Sequence, residues 1–333
     1  MLPVIHLGLG AIGKATLESI LAQPRELRLV AVVDHNPAHI NHSVRELLRR
    51  KDAPNILVAG SLKEALKAAK TKPLVASVTT CSRTDDLRGM AEELIAAGIH
   101  MTTTCEELAY PSLRAPRTAA ALDRLAQKKG VALLGTGVNP GFAMDAFALA
   151  CTAPCTRVKH IKVIRSLDAS KRRFQLQKKI GAGMSSAEIK KLIREKAIGH
   201  VGLQESVAMI AEGLGWKLDS IQEKFSPVIA DHPVQSEFFH INTGKVRGMW
   251  MRASGIVNRK KCIELDLSMA FDADTFGEVV IDGEPNLLVR TKSGFPGESA
   301  TVGILVNSLR VVPTLKPGLR TMLDVLNLRG VGA

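Results

Sequence analysis

The 333-residue sequence is poor in aromatic residues and contains a single tyrosine, Tyr110. The residue four positions later is Arg114, so the Tyr-x-x-x-Lys dyad of short-chain dehydrogenases cannot be built. With aromatic residues at only 4%, no platform for stacking the bases of a single strand is evident. We therefore expect the net charge of +13 to form a solvated basic face, and no specific nucleic acid as a partner.

The sequence also lacks a metal-binding pattern and a long apolar run. Its five cysteines are an odd number with no Cys/His set at metal spacing, which predicts reduced thiols and no bound metal. Every apolar run is far shorter than the roughly 18 residues of a membrane span, so no membrane is expected as a partner. The N-terminus shows no cleavable signal, and we expect a cytoplasmic protein.

What the sequence does contain begins at its N-terminus. The apolar run Val4–Leu7 leads into Gly8-x-Gly10-x-x-Gly13, and residues 14–21 have helical apolar spacing. Strand, glycines and helix in this order are typical of a dinucleotide-binding turn, in which the pyrophosphate rests on the helix N-terminus. The predicted cofactor loop comprises Gly8, Gly10, Ala11, Ile12 and Gly13.

A second apolar run, Leu27–Val33, ends at Asp34, 21 residues after Gly13. A carboxylate at this position can accept hydrogen bonds from the adenosine ribose and repel a 2′-phosphate, so NAD is favoured and NADP remains possible. The alternative is that Asp34 only starts a turn with the following Asn36-Pro37.

The remaining pattern predicts an α/β protein with two sheets. Strands and helices alternate up to about residue 145, which predicts an N-terminal Rossmann domain with a doubly wound parallel sheet over 1–145. Over residues 146–296 the regular alternation of strands and helices stops, which predicts an α+β substrate and dimerisation domain with a largely antiparallel sheet. A C-terminal helix and tail, 297–333, are expected to pack back on the Rossmann domain.

Strands and helices are expected at the following positions. The predicted strands are 55–58, 73–81, 100–104, 131–135, 158–166, 245–253, 262–271 and 287–291. The predicted helices are 38–51, 61–70, 85–98, 112–129, 186–197, 203–214 and 298–311.

Ligands of such sheets bind beyond the carboxyl ends of the strands, which selects the loops 79–82, 103–107 and 135–142. Glu106 and Glu107 are the candidate proton-transfer groups, because a carboxylate beside an apolar nicotinamide face would have a raised pKa. The alternative is that this pair caps the helix that follows. The other candidate ligands in these loops are Thr79, Thr80, Cys81, Asn139, Pro140 and Gly141, with Phe142 beside the nicotinamide ring.

Asn139-Pro140-Gly141 could equally be an ordinary turn that joins two domains. His200 lies between two predicted helices, where its side chain could project into a cleft or cap a helix. A substrate with an α-amino acid carboxylate would require a cationic clamp, which Arg165 or Arg172 could provide.

Several blocks together resemble 2,4-diaminopentanoate dehydrogenase and the related native amine dehydrogenases. The matching blocks, in the same order over most of the chain, are Thr104–Pro111, Gly137–Phe142, Asp168–Arg173, Gly199–Leu203, Val306–Ser308 and Lys316–Leu319. The resemblance implies the fold of the dihydrodipicolinate reductase-like enzymes, usually as homodimers. The His-His and Ser-Gly-Thr motifs of dihydrodipicolinate reductase itself are absent, so that activity is not implied.

The resemblance further implies NAD(P)H-dependent reductive amination of a carbonyl with ammonia, and the reverse oxidative deamination. It places the proton-transfer role on Glu106, with Glu107 as the less favoured candidate. The substrate could be a diamino acid or another amine. Two alternatives remain open: a nucleotide-binding sensor without turnover, and an enzyme that reduces a different C=N or C=O bond independently of ammonia.

Overall fold

The computed structural model describes residues 1–195, 197–199 and 201–326. They form two compact units: the first comprises Met1–Phe142 together with the residues from Gly297 onwards, and the second comprises Ala143–Pro296. His200 and the end of the predicted C-terminal tail, residues 327–333, lie outside the described residues.

The elements are labelled in chain order. The strands are β1 (Leu2–Leu7), β2 (Leu27–Val33), β3 (Val58–Ala59), β4 (Val75–Val78), β5 (His100–Thr103), β6 (Ala132–Gly135), β7 (Arg157–Asp168), β8 (Ser220–Ile229), β9 (Val234–Gln235), β10 (His240–Ile241), β11 (Val246–Val257), β12 (Lys260–Ala270), β13 (Phe276–Glu284), β14 (Leu287–Thr291) and β15 (Gly318–Arg320). The α-helices are α1 (Ala11–Leu21), α2 (Val44–Leu48), α3 (Leu62–Ala68), α4 (Thr84–Ala96), α5 (Pro116–Lys129), α6 (Ala146–Cys151), α7 (Phe174–Lys179), α8 (Ser186–Arg194), α9 (Leu203–Gly213), α10 (Gly297–Val311) and α11 (Met322–Val325).

The first unit is built on a seven-stranded sheet of order β15-β6-β5-β4-β1-β2-β3, in which every pair is parallel. Apolar side chains of α1 and α10 form one core, which includes Leu17 and Val306. Those of α3, α4 and α5 form another, which includes Leu94 and Leu122. A parallel sheet with helices covering both faces confirms the predicted doubly wound Rossmann fold.

Short-range sequence signals set most of the helix and strand ends in this unit. The apolar run Leu27–Val33 forms β2 with the predicted bounds. Pro116 occupies the first turn of α5, where its missing N–H costs nothing, so the predicted helix begins there and not at residue 112. Gly130, with φ +70°, ends the helix as its left-handed cap.

The predicted helix over 38–51 is wrong. Only Val44–Leu48 is helical, because Ser43 and Glu46 form a capping box that starts the helix at Val44. Asn41 and Arg49 adopt positive φ on either side of it and prevent its extension. The neighbouring strand, predicted over 55–58, is reduced to β3, which pairs with the end of β2.

The second unit is built on a six-stranded sheet of order β14-β13-β7-β12-β11-β8. The β7–β12 pair is parallel and the other pairs are antiparallel, which confirms a largely antiparallel second sheet. Helix α9 covers one face: a Cβ on Gly255 of β11 would lie 2.9 Å from the Val207 side chain. Ile263, Leu265 and Leu267 of β12 are buried on that face.

The sequence patterns missed several elements of this unit. Strands β8 and β13 and helices α6 and α7 lie in stretches that we did not assign. Strand β8 is an edge strand whose residues are exposed or partly exposed, so it lacks the apolar alternation that predicts a strand. Helix α7 has six residues, too few to show a helical period.

The described residues contain neither a candidate membrane span nor a candidate metal site. No helix in the described residues has the length and apolar character needed to cross a membrane. Over the same residues, no group of three or more His, Cys, Asp or Glu side chains is arranged to hold a metal ion.

Candidate active site

The turn between β1 and α1 is closed around the carbonyl oxygen of Gly8. This oxygen accepts a hydrogen bond from Nε2 of His6 at 2.8 Å and another from Oγ1 of Thr79 at 3.0 Å. Gly8 has φ +95°, and a Cβ on it would lie 2.9 Å from the Thr79 carbonyl. A Cβ on Gly13 would lie 1.9 Å from the Gly8 oxygen, so the helix approaches the turn as closely as the backbone allows.

The outer side of this turn is open. Gly10 is exposed, and a Cβ on it would meet nothing within 4 Å. Helix α1 begins at Ala11 and, in the described part of the chain, has neither a side-chain cap nor an acidic residue in its first turn. Its N-terminal amides, including those of Ile12 and Gly13, therefore remain free for an anion. These residues fit the pyrophosphate of a dinucleotide.

His6 is a residue of this turn that the sequence analysis missed. It is fully buried, and burial lowers its pKa to about 4, so the ring is neutral at physiological pH. Because the Gly8 carbonyl can only accept, Nε2 carries the proton. Nδ1 then accepts from the Ser77 hydroxyl, 3.2 Å away on β4. The neutral ring thus fixes the glycine turn to the neighbouring strand.

Asp34 at the end of β2 holds the same turn from its other side. Its Oδ2 accepts a hydrogen bond from the Leu9 amide, and its Oδ1 accepts from the Asn36 amide at 2.7 Å. Nδ1 of His39 lies 3.5 Å from Oδ1. Asp34 therefore starts the turn that was the alternative in the sequence analysis. The same contacts place its carboxylate beside the glycine loop, as a ribose-binding residue requires.

The three loops at the carboxyl ends of β4, β5 and β6 are joined by backbone hydrogen bonds. The Glu107 amide donates to the Ser82 carbonyl at 3.1 Å, and the Thr136 amide donates to the Thr103 carbonyl at 2.8 Å. Gly135 is in close contact with the backbone of Leu108, because a Cβ there would lie 2.3 Å from it. The sheet thus brings these predicted site loops together at one edge.

The two adjacent glutamates of the second loop have different surroundings. Both belong to a 3₁₀ helix, Glu106–Ala109, and both are partly exposed. Oε2 of Glu107 accepts a hydrogen bond at 2.9 Å from the amide of Thr84, the first residue of α4. Glu107 therefore caps α4, which precedes it in the chain, and not the helix that follows. Within the described residues, the Glu106 carboxylate accepts no hydrogen bond.

Two thiols meet beside Glu106. Cys81 follows β4 and Cys105 follows β5. The hydrogen bond between their side chains, with another from Thr80 at 3.7 Å, lowers the pKa of Cys81 to about 7. The same contact and burial raise the pKa of Cys105. No pattern in the sequence predicts this pair, because the two residues become neighbours only when β4 and β5 pair.

The third loop, after β6, is buried within the first unit. Asn139 is 6% exposed and joined to Pro140 by a cis peptide bond. Gly141 has φ +120°, and a Cβ on it would lie 2.6 Å from the Gly137 amide, so only glycine fits this turn. Phe142 is partly buried at the end of the loop. Helix α10 supports the loop through Oγ1 of Thr301, 3.3 Å from the Val138 amide.

Arg165 belongs to the second unit. It lies on β7 opposite Leu267 of β12, on the sheet face that α9 covers, and is 5% exposed. Its Nη2 donates to the Phe295 carbonyl at 2.8 Å. Burial, and then the charge of Arg172, lower its pKa to about 10.

Known proteins are similar to this chain over nearly its whole length. The family model for the 2,4-diaminopentanoate dehydrogenase C-terminal domain matches residues 142–331. The 2,4-diaminopentanoate dehydrogenase of Acetoanaerobium sticklandii is 30% identical, over 97% of this chain and 92% of that protein. The solved structure of an amine dehydrogenase from Mycobacterium smegmatis has a TM-score of 0.82 at 22% identity, covering 98% of this chain and 97% of that one.

A further solved structure has the same fold. GenD2, from gentamicin A biosynthesis, was solved in complex with NAD and matches with a TM-score of 0.57 at 16% identity, over 98% of this chain and 90% of that one. The parallel sheet and the glycine turn define a Rossmann fold whose N-terminal unit fits a dinucleotide, and the named relative identifies the chain as an oxidoreductase. The chain belongs to the 2,4-diaminopentanoate dehydrogenase family. The resemblance drawn from the sequence blocks is thereby confirmed.

Two glycines of the turn are expected to respond differently to an added methyl group. Gly13→Ala forces a Cβ into the Gly8 carbonyl and should lower the free energy of unfolding by about 1–3 kcal/mol. Gly10→Ala meets no protein atom, so it should leave stability nearly unchanged while weakening NADH binding at least tenfold. Urea denaturation and NADH fluorescence titration measure the two effects. Unchanged NADH affinity in Gly10→Ala would contradict the assignment of the loop.

His6 makes stability depend on pH. Because burial lowers its folded-state pKa from 6.5 to about 4, the unfolded chain binds the proton first as pH falls. The contribution is fully present above pH 6.5 and is lost between pH 6.5 and 4, amounting to about 3 kcal/mol. His6→Gln retains a donor for Gly8 and does not titrate. Its unfolding free energy should fall less than that of the unaltered protein between pH 7 and 4.5; equal losses would refute this role.

Proposed function

We propose that the protein is an NAD(P)-dependent amine dehydrogenase. It would catalyse the oxidative deamination of an amine and, in reverse, the reductive amination of a ketone or aldehyde with ammonia. Membership of the 2,4-diaminopentanoate dehydrogenase family supports this reaction class. The single observation that carries the mechanism is the Glu106 carboxylate, which stands at the end of β5 and accepts no hydrogen bond in the described part of the chain.

The cofactor would be held by the turn after β1 and by the loops after β4 and β6. The amides from Gly10 to Gly13 would bind the pyrophosphate, and Asp34 the adenosine ribose. Thr79, Thr80 and Cys81 would line the dinucleotide, and Asn139-Pro140-Gly141 would hold the carboxamide, with Phe142 beside the ring. When bound, the nicotinamide supplies or accepts the hydride.

Glu106 would carry the protons that accompany the hydride. In oxidative deamination it takes a proton from the substrate ammonium and later assists the addition of water and the release of ammonia. In reductive amination it performs the reverse transfers on ammonia and on the carbinolamine oxygen. No metal is needed, because a protonated C=N bond is electrophilic enough to accept a hydride. Positioning of the reactants supplies further acceleration.

We also propose a cytoplasmic homodimer. The family resemblance supports the dimer. Side chains that alternate with the buried ones on the second sheet, such as Trp250, Ile164 and Val280, are partly exposed and form a surface that a second copy would cover. All five cysteines are free thiols, as expected in a reducing compartment. Ammonia and a small amine or carbonyl compound complete the proposed partners.

Substitution of the two glutamates should separate catalysis from stability. Glu106→Gln removes the carboxylate without changing the side-chain shape, so turnover should fall at least 100-fold while NADH binding and the melting temperature stay nearly unchanged. Glu107→Gln is the matched control: it weakens the cap of α4 and should lower stability by about 1 kcal/mol, with turnover retained.

The measurement is NADH oxidation with a panel of ketones and aldehydes, with and without ammonia, alongside thermal unfolding. Retained turnover in Glu106→Gln would remove this residue from the mechanism. NADH binding without turnover of any carbonyl in ammonia would favour a sensor. Activity that does not depend on ammonia would favour a different reductase.

Asp34 should make NAD the better cofactor. Its negative charge repels a 2′-phosphate, so kcat/KM should be higher with NAD than with NADP. Asp34→Asn keeps an acceptor for the Leu9 amide and removes the charge, and should raise kcat/KM for NADP at least tenfold. Steady-state kinetics with each cofactor, for the unaltered enzyme and the variant, measure this preference. A preference of the unaltered enzyme for NADP would contradict it.

A further inference from the structure

Two thiols of the first unit are in contact in the loops that follow β4 and β5. Cys105 is 1% exposed and belongs to the apolar core that the sheet forms with α3, α4 and α5. Cys81 packs against this core from the neighbouring loop, and the two side chains are hydrogen-bonded to each other. A pair of thiols this close can form a disulfide with little movement of the backbone.

Backbone hydrogen bonds join the two loops on both sides of this contact. The Thr104 amide donates to the Val78 carbonyl, and the Glu107 amide donates to the Ser82 carbonyl, each at 3.1 Å. Along both loops the thiols lie between these two bonds. The fold itself, and not only the choice of side-chain rotamer, therefore holds the two sulfur atoms next to each other.

The two thiols differ in access and in acidity. Cys81 is partly exposed, and the hydrogen bond with Cys105 and another from Thr80 lower its pKa to about 7. A large share of Cys81 is therefore the nucleophilic thiolate at neutral pH. Cys105 keeps its proton, because the contact with Cys81 and burial raise its pKa. An accessible thiolate beside a second thiol is typical of a redox-sensitive cysteine and its resolving partner.

The other three cysteines have different surroundings, and all lie in the second unit. Burial raises the pKa of each of them: Cys151, Cys155 and Cys262. The thiol of Cys155 donates to the Pro285 carbonyl at 3.3 Å, and that of Cys262 donates to the Val257 carbonyl at 3.9 Å. These thiols are expected to react slowly with oxidants.

We propose that Cys81 is a site of oxidation by hydrogen peroxide and that Cys105 completes the reaction as a disulfide. The Cys81 thiolate attacks one peroxide oxygen, the O–O bond breaks, and a sulfenic acid forms as hydroxide leaves. The Cys105 sulfur then attacks the Cys81 sulfur, the S–O bond breaks, and a second hydroxide leaves. The proton of Cys105 and one from solvent convert the two hydroxides to water, and two electrons pass from the thiols to the peroxide.

Cys105 becomes more reactive once Cys81 has been oxidised. The hydrogen bond with Cys81 and the negative charge of its thiolate both raise the pKa of Cys105. A sulfenic acid carries no charge, so these two effects disappear when it forms and the Cys105 proton becomes easier to remove. The order of the two steps therefore follows from the surroundings of the two thiols.

The pair lies next to the contacts that close the glycine turn. Thr79, two residues before Cys81, donates to the Gly8 carbonyl at 3.0 Å. A Cβ on Gly8 would lie 3.0 Å from the side chain of Thr80. A disulfide bond of about 2 Å is shorter than a contact between unbonded sulfur atoms, so it draws the two loops together. This shift should disturb the turn and weaken NADH binding, a consequence that rests on the proposed cofactor role of the turn.

The test treats the reduced protein with hydrogen peroxide and then removes the peroxide with catalase. Peptide mass mapping identifies the products, and fluorescence titration measures NADH binding. The unaltered protein should lose the mass of two hydrogen atoms and yield peptides linked through Cys81 and Cys105. The Kd for NADH should rise at least tenfold, and dithiothreitol should restore both the mass and the affinity.

Two variants separate the steps. Cys105→Ser keeps a hydroxyl that can donate to Cys81 and lacks the resolving sulfur. Its oxidation should stop at a sulfenic acid on Cys81, which dimedone labels, and excess peroxide should carry it to a sulfinic acid that dithiothreitol does not reduce. Cys262→Ser is the matched control, because it removes a partly exposed thiol of β12 and should oxidise as the unaltered protein does.

A disulfide between any other cysteines, or oxidation of Cys81 no faster than that of Cys262, would overturn the proposal. A Cys81–Cys105 disulfide with an unchanged Kd for NADH would support the oxidation site and contradict its effect on the turn. Mass mapping of the unaltered protein decides the matter even if Cys105→Ser does not fold. It also needs no substrate, so a protein that oxidises no amine would count against the proposed function alone.

Discussion

The hydrogen bonds that converge on the Gly8 carbonyl fix the shape of the nucleotide-binding turn. His6 and Thr79 donate to this oxygen from β1 and from the end of β4, and the Gly13 backbone packs against it. These contacts engage the Gly8 carbonyl inside the turn, and the first amides of α1 have no side-chain cap. An anion at the N-terminus of α1 would therefore meet free amide donors.

The same contacts connect the glycine turn to the loops of the proposed proton-transfer site. Thr79 begins the loop after β4, and the residues after it are hydrogen-bonded to Glu107, whose amide donates to Ser82 and whose carboxylate accepts from Thr84. Glu107 has a structural role there because its carboxylate caps α4. Glu106, one residue earlier, points away from that cap, since adjacent residues of a 3₁₀ helix project in different directions. A rigid neighbour and an unengaged carboxylate are what a proton-transfer site requires.

The sequence predicted those parts of the molecule whose causes are local. The bounds of β2, the Rossmann order of strands and helices, and the glycine turn follow from short-range patterns. The prediction of a helix over 38–51 was wrong because a capping box inside the segment starts the helix at Val44. The role of His6 and the Cys81–Cys105 contact could not be read from the sequence, because each depends on a strand pairing with a partner distant in the chain.

The arginines show why charge counts alone are a poor guide to function. A net charge of +13 predicts a solvated basic surface, and many of its lysines and arginines are indeed exposed. Arg165 and Arg172 differ because the fold buries one, confines the other and gives neither a carboxylate in the described residues. Arg165 lies on β7, whereas Arg172 lies in the segment after it, where its carbonyl accepts a hydrogen bond from Gln177 of α7. Strand pairing and this buried amide therefore decide the surroundings of the two arginines, and a count of charges in the sequence contains neither.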